Sequence, residues 1–261
     1  MTVTGSARVW LSEDTALGFN VQSSMFKVSK HVEPGTYPLR LNLETGDCTM
    51  DRNELLDELH RSRLVAVIRS KTADEALTTA AAAGDAGVKF VEITFSVPGA
   101  PKVIEALARR PELHVGAGTV LSRDQARVAI AAGAQFVVAP SLELDLVLIC
   151  HEAGLACFPG AATPTEIITA ARAGADLVKI FPADCLGGAY FIRQMSGPFP
   201  EIRFMVSGGV SLDNVKDYVQ AGVTGICLGS AYLSSLLVRQ GREGFVREVA
   251  RFTKSVAEAR S

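Results

Sequence analysis

The sequence has little net charge, few histidines and cysteines, and no long apolar run. Its 261 residues carry a formal net charge of −2, which gives no electrostatic reason to expect nucleic acid or an anionic membrane as a partner. No apolar run reaches the roughly 20 residues of a membrane-spanning helix, and the first residues lack the basic start and apolar core of a secretory signal. The five cysteines form no C-x-x-C pair, which favours reduced thiols over a disulfide framework. These absences predict a cytoplasmic protein whose partners are small molecules.

What the sequence does contain is a repeat. Five segments share a small-residue stretch, then Ala-Gly, then an apolar run. Their glycines are Gly87, Gly133, Gly154, Gly174 and Gly222, with gaps of 46, 21, 20 and 48 residues. Each of the two long gaps also holds one apolar run that ends in glycine, at 113–118 and 203–209. With the run at 64–69, the pattern predicts eight strands at nearly constant spacing.

Each repeat unit has the features of a helix followed by a parallel strand. Glycine ends a helix in a left-handed turn at little cost, and a nearly continuous apolar run is typical of a parallel strand covered by helices. Helix starts are expected at three capping-box spacings, which are Thr72 with Glu75, Ser122 with Gln125, and Thr163-Pro164 with Glu166. Eight such units fit a doubly wound sheet or a closed barrel. Their even number and spacing predict an α/β fold, a (β/α)₈ TIM barrel.

Two segments of the chain precede the eight predicted strands. Residues 51–62 are predicted to form an N-terminal helix that closes the bottom of the barrel, so the barrel domain is assigned to residues 51–261. Residues 1–50 form an N-terminal extension outside the repeat, with two alternating runs joined by Glu-Pro-Gly, as in a β-hairpin. The extension could dock on the barrel, pair with another chain or be disordered, or Met50 could be the natural start.

Two ionisable residues lie inside predicted strands. Lys179 falls late in the sixth strand, where burial disfavours the ammonium form and makes the amine a nucleophile that can form an imine with a ketone. Glu92 falls in the second strand, where an unpaired carboxylate would be costly. Strand parity points both side chains into the barrel. They are either an acid/base group beside an amine nucleophile or a structural ion pair.

The remaining candidates lie at strand ends, where function collects in such barrels. Glycine-rich ends follow the last two strands and predict a phosphate site of backbone N–H groups at Ser207, Gly208, Gly209, Gly229 and Ser230; the alternative is tight turns only. Arg69 and Thr119 could hold a carboxylate, although an Arg at a strand end is often a solvated rim residue. Pro140 and Phe181 are expected to line the pocket. The four histidines do not cluster at strand ends, so no metal site is predicted.

The motifs LVAVIR, VEITF, VGAGTV, KIFPA, SGGV and LGSAYL, in this order over about residues 51–235, resemble the 2-keto-3-deoxy-6-phosphogluconate / 4-hydroxy-2-oxoglutarate aldolase family. The resemblance implies a class I aldolase, usually a homotrimer, with Lys179 as the Schiff-base lysine and Glu92 as the acid/base group. It places Thr119 on the pyruvate carboxylate and the glycine-rich ends on the phosphate. Many members carry Arg where this chain has Ser96, so the carboxylate is assigned to Arg69. Ser207 replaces a common Thr and keeps the hydroxyl.

The activity implied is cleavage of a phosphorylated 2-keto-3-deoxy sugar acid to pyruvate and an aldehyde, without metal or organic cofactor. Two alternatives remain open at this point. One is a phosphosugar epimerase or isomerase on the same barrel, which would share the phosphate site. The other is a non-catalytic trimeric relative. The stereochemistry of the preferred substrate, and whether its phosphate is obligatory, are also left open.

Overall fold

The structure, a computed structural model, describes residues 51–259, in which strands and helices alternate. The hairpin predicted within residues 1–50 lies outside the described residues. The strands are β1 (Leu64–Ile68), β2 (Phe90–Thr94), β3 (His114–Gly118), β4 (Phe136–Val138), β5 (Ala156–Phe158), β6 (Gly160–Ala161), β7 (Val178–Ile180), β8 (Phe204–Val206) and β9 (Gly225–Leu228). The helices are α1 (Arg52–Ser62), α2 (Ala73–Asp85), α3 (Ala100–Ala108), α4 (Arg123–Ala131), α5 (Leu144–Glu152), α6 (Pro164–Arg172), α7 (Gly188–Ser196), α8 (Val215–Gln220) and α9 (Ser230–Glu258).

The strands form one parallel sheet that closes into a barrel. The strand order is β5-β4-β3-β2-β1-β9-β8-β7-β6, and only Pro159 separates the two outermost strands, β5 and β6. β5 pairs with β4 and β6 pairs with β7. The predicted eight-unit barrel is therefore confirmed, except that its fifth strand is divided in two. Pro159 causes the division because proline has no N–H to contribute to the ladder.

The predicted helix boundaries are also observed. All five repeat glycines have positive φ, between 73° and 90°. Thr163 forms a complete capping box with Glu166. Thr72 and Ser122 accept the backbone N–H of Glu75 and Gln125 as predicted, but the Glu75 and Gln125 side chains reach past the cap to the N–H of the preceding residue.

Helix α1 closes the bottom of the barrel, as the sequence predicted. Asp51 caps the helix and forms a capping box with Glu54. The buried side chains Leu55, Leu56 and Leu59 belong to the same apolar cluster as the inward-facing strand residues. Burial of one such leucine contributes roughly 1.5–3 kcal/mol. These leucines fill the amino-terminal end of the barrel, so a site can form only at the carboxyl ends of the strands.

A second, larger apolar cluster lies between the strands and the surrounding helices. Helix α9 contains one residue with non-helical geometry, Gly241, which divides it into two parts. Within residues 51–259, no helix combines the length and the apolar character needed to cross a bilayer.

Candidate active site

Lys179 and Glu92 meet inside the mouth of the barrel. Lys179 is the middle residue of β7 and Glu92 the middle residue of β2, and their side chains are 7% and 1% exposed. The Lys179 Nζ lies 3.7 Å from Glu92 Oε1, somewhat longer than a direct hydrogen bond. Glu92 Oε2 is buried and has no hydrogen-bond partner among residues 51–259. The structure thus brings the two predicted groups together and leaves one carboxylate oxygen without a hydrogen bond.

Gly118, the last residue of β3, makes room for the Glu92 side chain. A Cβ atom at this position would overlap Glu92 Oε1 and would lie 2.6 Å from its Cδ. In the sheet register Glu92 lies opposite Gly116 and Thr94 lies opposite Gly118. Gly118 therefore leaves the space that the glutamate occupies, whereas Gly116 leaves space for the Phe136 ring. No role for Gly118 was predicted from the sequence.

Arg69 lies on the rim, next to the other predicted carboxylate ligand. Its Nη2 donates to Thr119 Oγ1 at 3.1 Å and its Nη1 donates to Ser96 Oγ at 2.8 Å. Thr119 has a φ of 54°, in the left-handed region that a β-branched residue rarely adopts. This conformation directs the hydroxyl toward the guanidinium. The structure therefore brings Arg69 and Thr119 together, and it adds Ser96, which the sequence marked only as a position without the arginine of many similar proteins.

The predicted phosphate loop lies against an acidic side chain. Gly208 and Gly209 have φ values of 102° and 67°, and a Cβ on Gly209 would lie 2.6 Å from the Cγ of Asp184. Ser207 is buried, and its carbonyl accepts the Ala183 N–H at 2.8 Å. Asp184 was not predicted. It follows the KIFPA motif and contacts the loop only because β7 and β8 are neighbours.

The second part of the predicted phosphate site is the start of α9. Gly229 is the N-cap and Ser230 the first helical residue, and no side chain caps this helix. The first N–H groups of a helix have no intrahelical partner and favour an anion. No atom lies within 4 Å of a Cβ built on Gly229. The helix start therefore opens onto free space at the mouth of the barrel.

Phe181 and Pro140, the two predicted pocket residues, follow the carboxyl ends of β7 and β4. Phe181 is 40% exposed, and the Lys179 Nζ lies 5.7 Å from the centre of its ring. The backbone of Pro140 approaches Gly160 so closely that a Cβ there would overlap the Pro140 carbonyl. Phe181 therefore supplies an apolar wall beside the amine.

A thiol lies deeper in the barrel, beside the same groups. Cys227 in β9 is fully buried and hydrogen-bonded to Ser207, and burial raises the pKa of its thiol to about 12. The thiol is therefore protonated at neutral pH and does not compete with Lys179 as a nucleophile.

A cleft of about 320 Å³ lies at the opposite end of the barrel, lined by residues of α1, the entrance of β2 and α9. Its charged groups are paired with one another: Glu58 bonds to Lys89 at 2.6 Å and to Arg61 at 2.8 Å. The Lys89 hydrogen bond lowers the pKa of Glu58, against the opposing effect of burial. No groups of three or more His, Cys, Asp or Glu in residues 51–259 are placed to hold a metal ion. The candidate site is therefore assigned to the mouth.

Residues 55–248 match the family described as KDPG and KHG aldolase. A 2-dehydro-3-deoxy-phosphogluconate aldolase of Haemophilus influenzae is 32% identical over 206 residues, covering 78% of this chain and 96% of the relative. A solved structure described as native KDPGal is 34% identical and has a TM-score of 0.67, covering 75% of this chain and 95% of its own. The KDPG aldolase of Legionella pneumophila, solved with pyruvate captured as a covalent carbinolamine, is 27% identical with a TM-score of 0.64, covering 77% of this chain and 95% of its own. The family match covers most of the chain and includes the strands that carry Lys179 and Glu92, so this protein belongs to the KDPG and KHG aldolase family.

Proposed function

We propose that this protein is a class I aldolase. It cleaves 2-keto-3-deoxy-6-phosphogluconate, or a related 2-keto-3-deoxy or 4-hydroxy-2-oxo acid, to pyruvate and an aldehyde such as glyceraldehyde 3-phosphate. The observation that carries this proposal is the buried Lys179 amine, 3.7 Å from the Glu92 carboxylate at the mouth of the barrel. An amine nucleophile beside an acid/base group is the minimum that imine chemistry requires.

The first steps form the imine. The Lys179 nitrogen attacks the C2 carbonyl carbon of the keto acid, and the carbonyl oxygen takes up a proton to give a carbinolamine. Loss of that oxygen as water leaves a cationic imine. Glu92 can exchange the protons of these steps directly or through one water molecule, because its oxygen is within 3.7 Å of the nitrogen.

The cationic imine then allows the C3–C4 bond to break. Glu92 accepts the proton of the C4 hydroxyl, the bond electrons move onto the imine nitrogen, and the aldehyde leaves. Glu92 returns a proton to C3 of the resulting enamine, and water hydrolyses the imine to release pyruvate and the free Lys179 amine. One carboxylate thus serves as base and then as acid.

The rim residues hold the two ends of the substrate. Arg69 and Thr119 bind the C1 carboxylate through charge-assisted hydrogen bonds. At the other end, the backbone N–H groups of Gly208, Gly209 and the start of α9, with Ser207 and Ser230, bind the phosphate. Pro140 and Phe181 line the pocket between the two ends.

The direct test is borohydride trapping with the full chain. Borohydride delivers hydride to an imine carbon and leaves a stable secondary amine, so pyruvate is expected to add one covalent group on Lys179. Intact-mass and peptide mass spectrometry measure it. Adduct yield and cleavage are expected to be unchanged by EDTA, because imine formation needs no Lewis acid. Modification at another lysine, or none at saturating pyruvate, would contradict the mechanism and return the protein to the epimerase or non-catalytic alternatives.

We also propose that the protein is a cytoplasmic homotrimer. The cytoplasmic location is supported by the free thiols of Cys150, Cys157, Cys185 and Cys227. Assembly is supported by apolar side chains that α4, α5 and the loop before α4 expose to solvent, at 43–59% of their area: Leu121, Val128, Leu144 and Leu148. α4 packs against α5, so these side chains belong to adjacent elements. Exposed apolar patches mark association surfaces.

The assembly proposal predicts a mass of three 27.7 kDa chains in light scattering. Leu148→Asp is expected to lower that mass, because the carboxylate would be buried in the interface without a partner. Val238→Asp is the matched control, since Val238 is 87% exposed and lies in α9, outside the patch. A wild-type chain that runs as a monomer would contradict the proposal.

A further inference from the structure

A chain of hydroxyl groups connects Arg69 to the backbone of the strand that it follows. Arg69 Nη1 lies 2.8 Å from Ser96 Oγ, Ser96 Oγ lies 2.8 Å from Thr94 Oγ1, and Thr94 Oγ1 lies 3.0 Å from the carbonyl oxygen of Ile68. The four residues form a closed ring of contacts, because Ile68 immediately precedes Arg69. This ring connects the end of β1 to the end of β2.

The direction of every hydrogen bond in this chain follows from the chemistry of its ends. The Ile68 carbonyl can only accept, so the Thr94 hydroxyl donates its single proton there. Thr94 must then accept from Ser96, which donates its own proton to Thr94. The Ser96 lone pairs are left facing the guanidinium, which can only donate. Ser96 is therefore oriented as an acceptor for Arg69.

We propose that Ser96 and Thr94 are positioning residues that hold the Arg69 guanidinium ready for the keto-acid carboxylate. This proposal rests on the proposed function, in which Arg69 binds that carboxylate. Ser96 fixes Nη1 and Thr119 fixes Nη2 at 3.1 Å, so the guanidinium is held at two corners. An arginine side chain has considerable rotamer freedom, and fixing it before the substrate arrives removes that entropic cost from binding.

The burial pattern separates this role from a structural one. Thr94 is fully buried, but Ser96 is exposed at the rim. Ser96→Ala therefore removes a hydroxyl without opening a cavity in the core. Its effect on the unfolding midpoint is expected to be negligible, and its effect on carboxylate binding is expected to be about fivefold, the size of one ordinary hydrogen bond.

The test compares two ketones in borohydride trapping on the full chain. Pyruvate carries the carboxylate, and acetone has the same reactive carbonyl without it. Ser96→Ala is expected to raise the half-saturating concentration of pyruvate about fivefold and to leave that of acetone unchanged. Ser96→Thr keeps the hydroxyl and is expected to retain the wild-type value for pyruvate. In an Arg69→Ala background, Ser96→Ala is expected to have no further effect, since its partner is gone.

The possible results separate this proposal from the proposed function. If the wild-type chain forms no adduct with either ketone, the Schiff-base function itself fails. If Arg69→Ala weakens pyruvate trapping and Ser96→Ala does not, the positioning role alone is wrong. Equal losses for pyruvate and acetone in Ser96→Ala would also overturn it, because they would indicate a general disturbance of the mouth.

Discussion

Replacing Lys179 with methionine is expected to abolish retro-aldol cleavage and to destabilise the barrel at the same time. The loss of activity follows because no other amine in the described chain lies beside Glu92, so no imine can form; kcat should fall by at least about 10⁴-fold. The loss of stability follows because Glu92, 1% exposed, would remain buried without its ion-pair partner. Breaking a buried ion pair from one side costs roughly 3–5 kcal/mol.

Two further variants separate the two effects. Lys179→Met combined with Glu92→Gln removes both charges and is expected to regain most of the stability but none of the activity. Lys89→Met is the matched control, since Lys89 also lies beside β2 but at the entrance of the barrel, where its side chain is 55% exposed. That variant should keep full activity and lose little stability. Urea denaturation and a cleavage assay measure both quantities. Appreciable cleavage by the Lys179→Met variant would exclude Lys179 as the nucleophile.

Gly118→Ala is expected to lower kcat about 100-fold although it adds only one methyl group. The added Cβ would lie 2.6 Å from Glu92 Cδ, and Glu92 is enclosed on all sides, so the carboxylate must move by about 1 Å; a misplacement of that size costs a catalytic group roughly 10²-fold. The backbone is no obstacle, since Gly118 does not have positive φ. The carboxylate position alone is changed.

The control and the coupling experiment both follow from this geometry. Gly197→Ala places a methyl at a helix end where the nearest atom is 3.6 Å away, so it should leave kcat unchanged. In a Glu92→Gln background, Gly118→Ala should lower kcat by a much smaller factor than it does in the wild-type chain, because both changes act on the same carboxylate. Steady-state kcat values measure this cycle. Additive losses would mean that Gly118 acts on some other part of the site.

The barrel could be predicted from the regular spacing of the strands, and the Lys179–Glu92 pair could be predicted from strand parity. Lys179 and Glu92 each lie in a short apolar run, and alternation along a strand is a local property that can be counted from the sequence. Parity therefore placed both side chains inside before any contact was known. The division of the fifth strand also had a local signal, the proline at 159, which the apolar run around it concealed.

The contacts that were missed depend on the register between strands. Gly118 makes room for Glu92 only because β2 and β3 align as they do, and Asp184 meets Gly209 only because β7 and β8 are neighbours. Leu64 and Ile226 are partners across β1 and β9 although they lie 162 positions apart in the chain, so no local pattern reveals their register. Ser96 illustrates the same point: its distance from Arg69 comes from the pairing of β1 with β2.

The left-handed backbone of Thr119 sets stability and function against each other. A β-branched residue at a φ of 54° costs the folded state roughly 1–3 kcal/mol, which glycine at that position would largely recover. Glycine would also remove the hydroxyl that meets Arg69. Laboratory evolution for heat resistance alone would therefore favour the loss of this threonine, and a thermostable descendant chosen without an activity screen would be a poorer binder of keto acids.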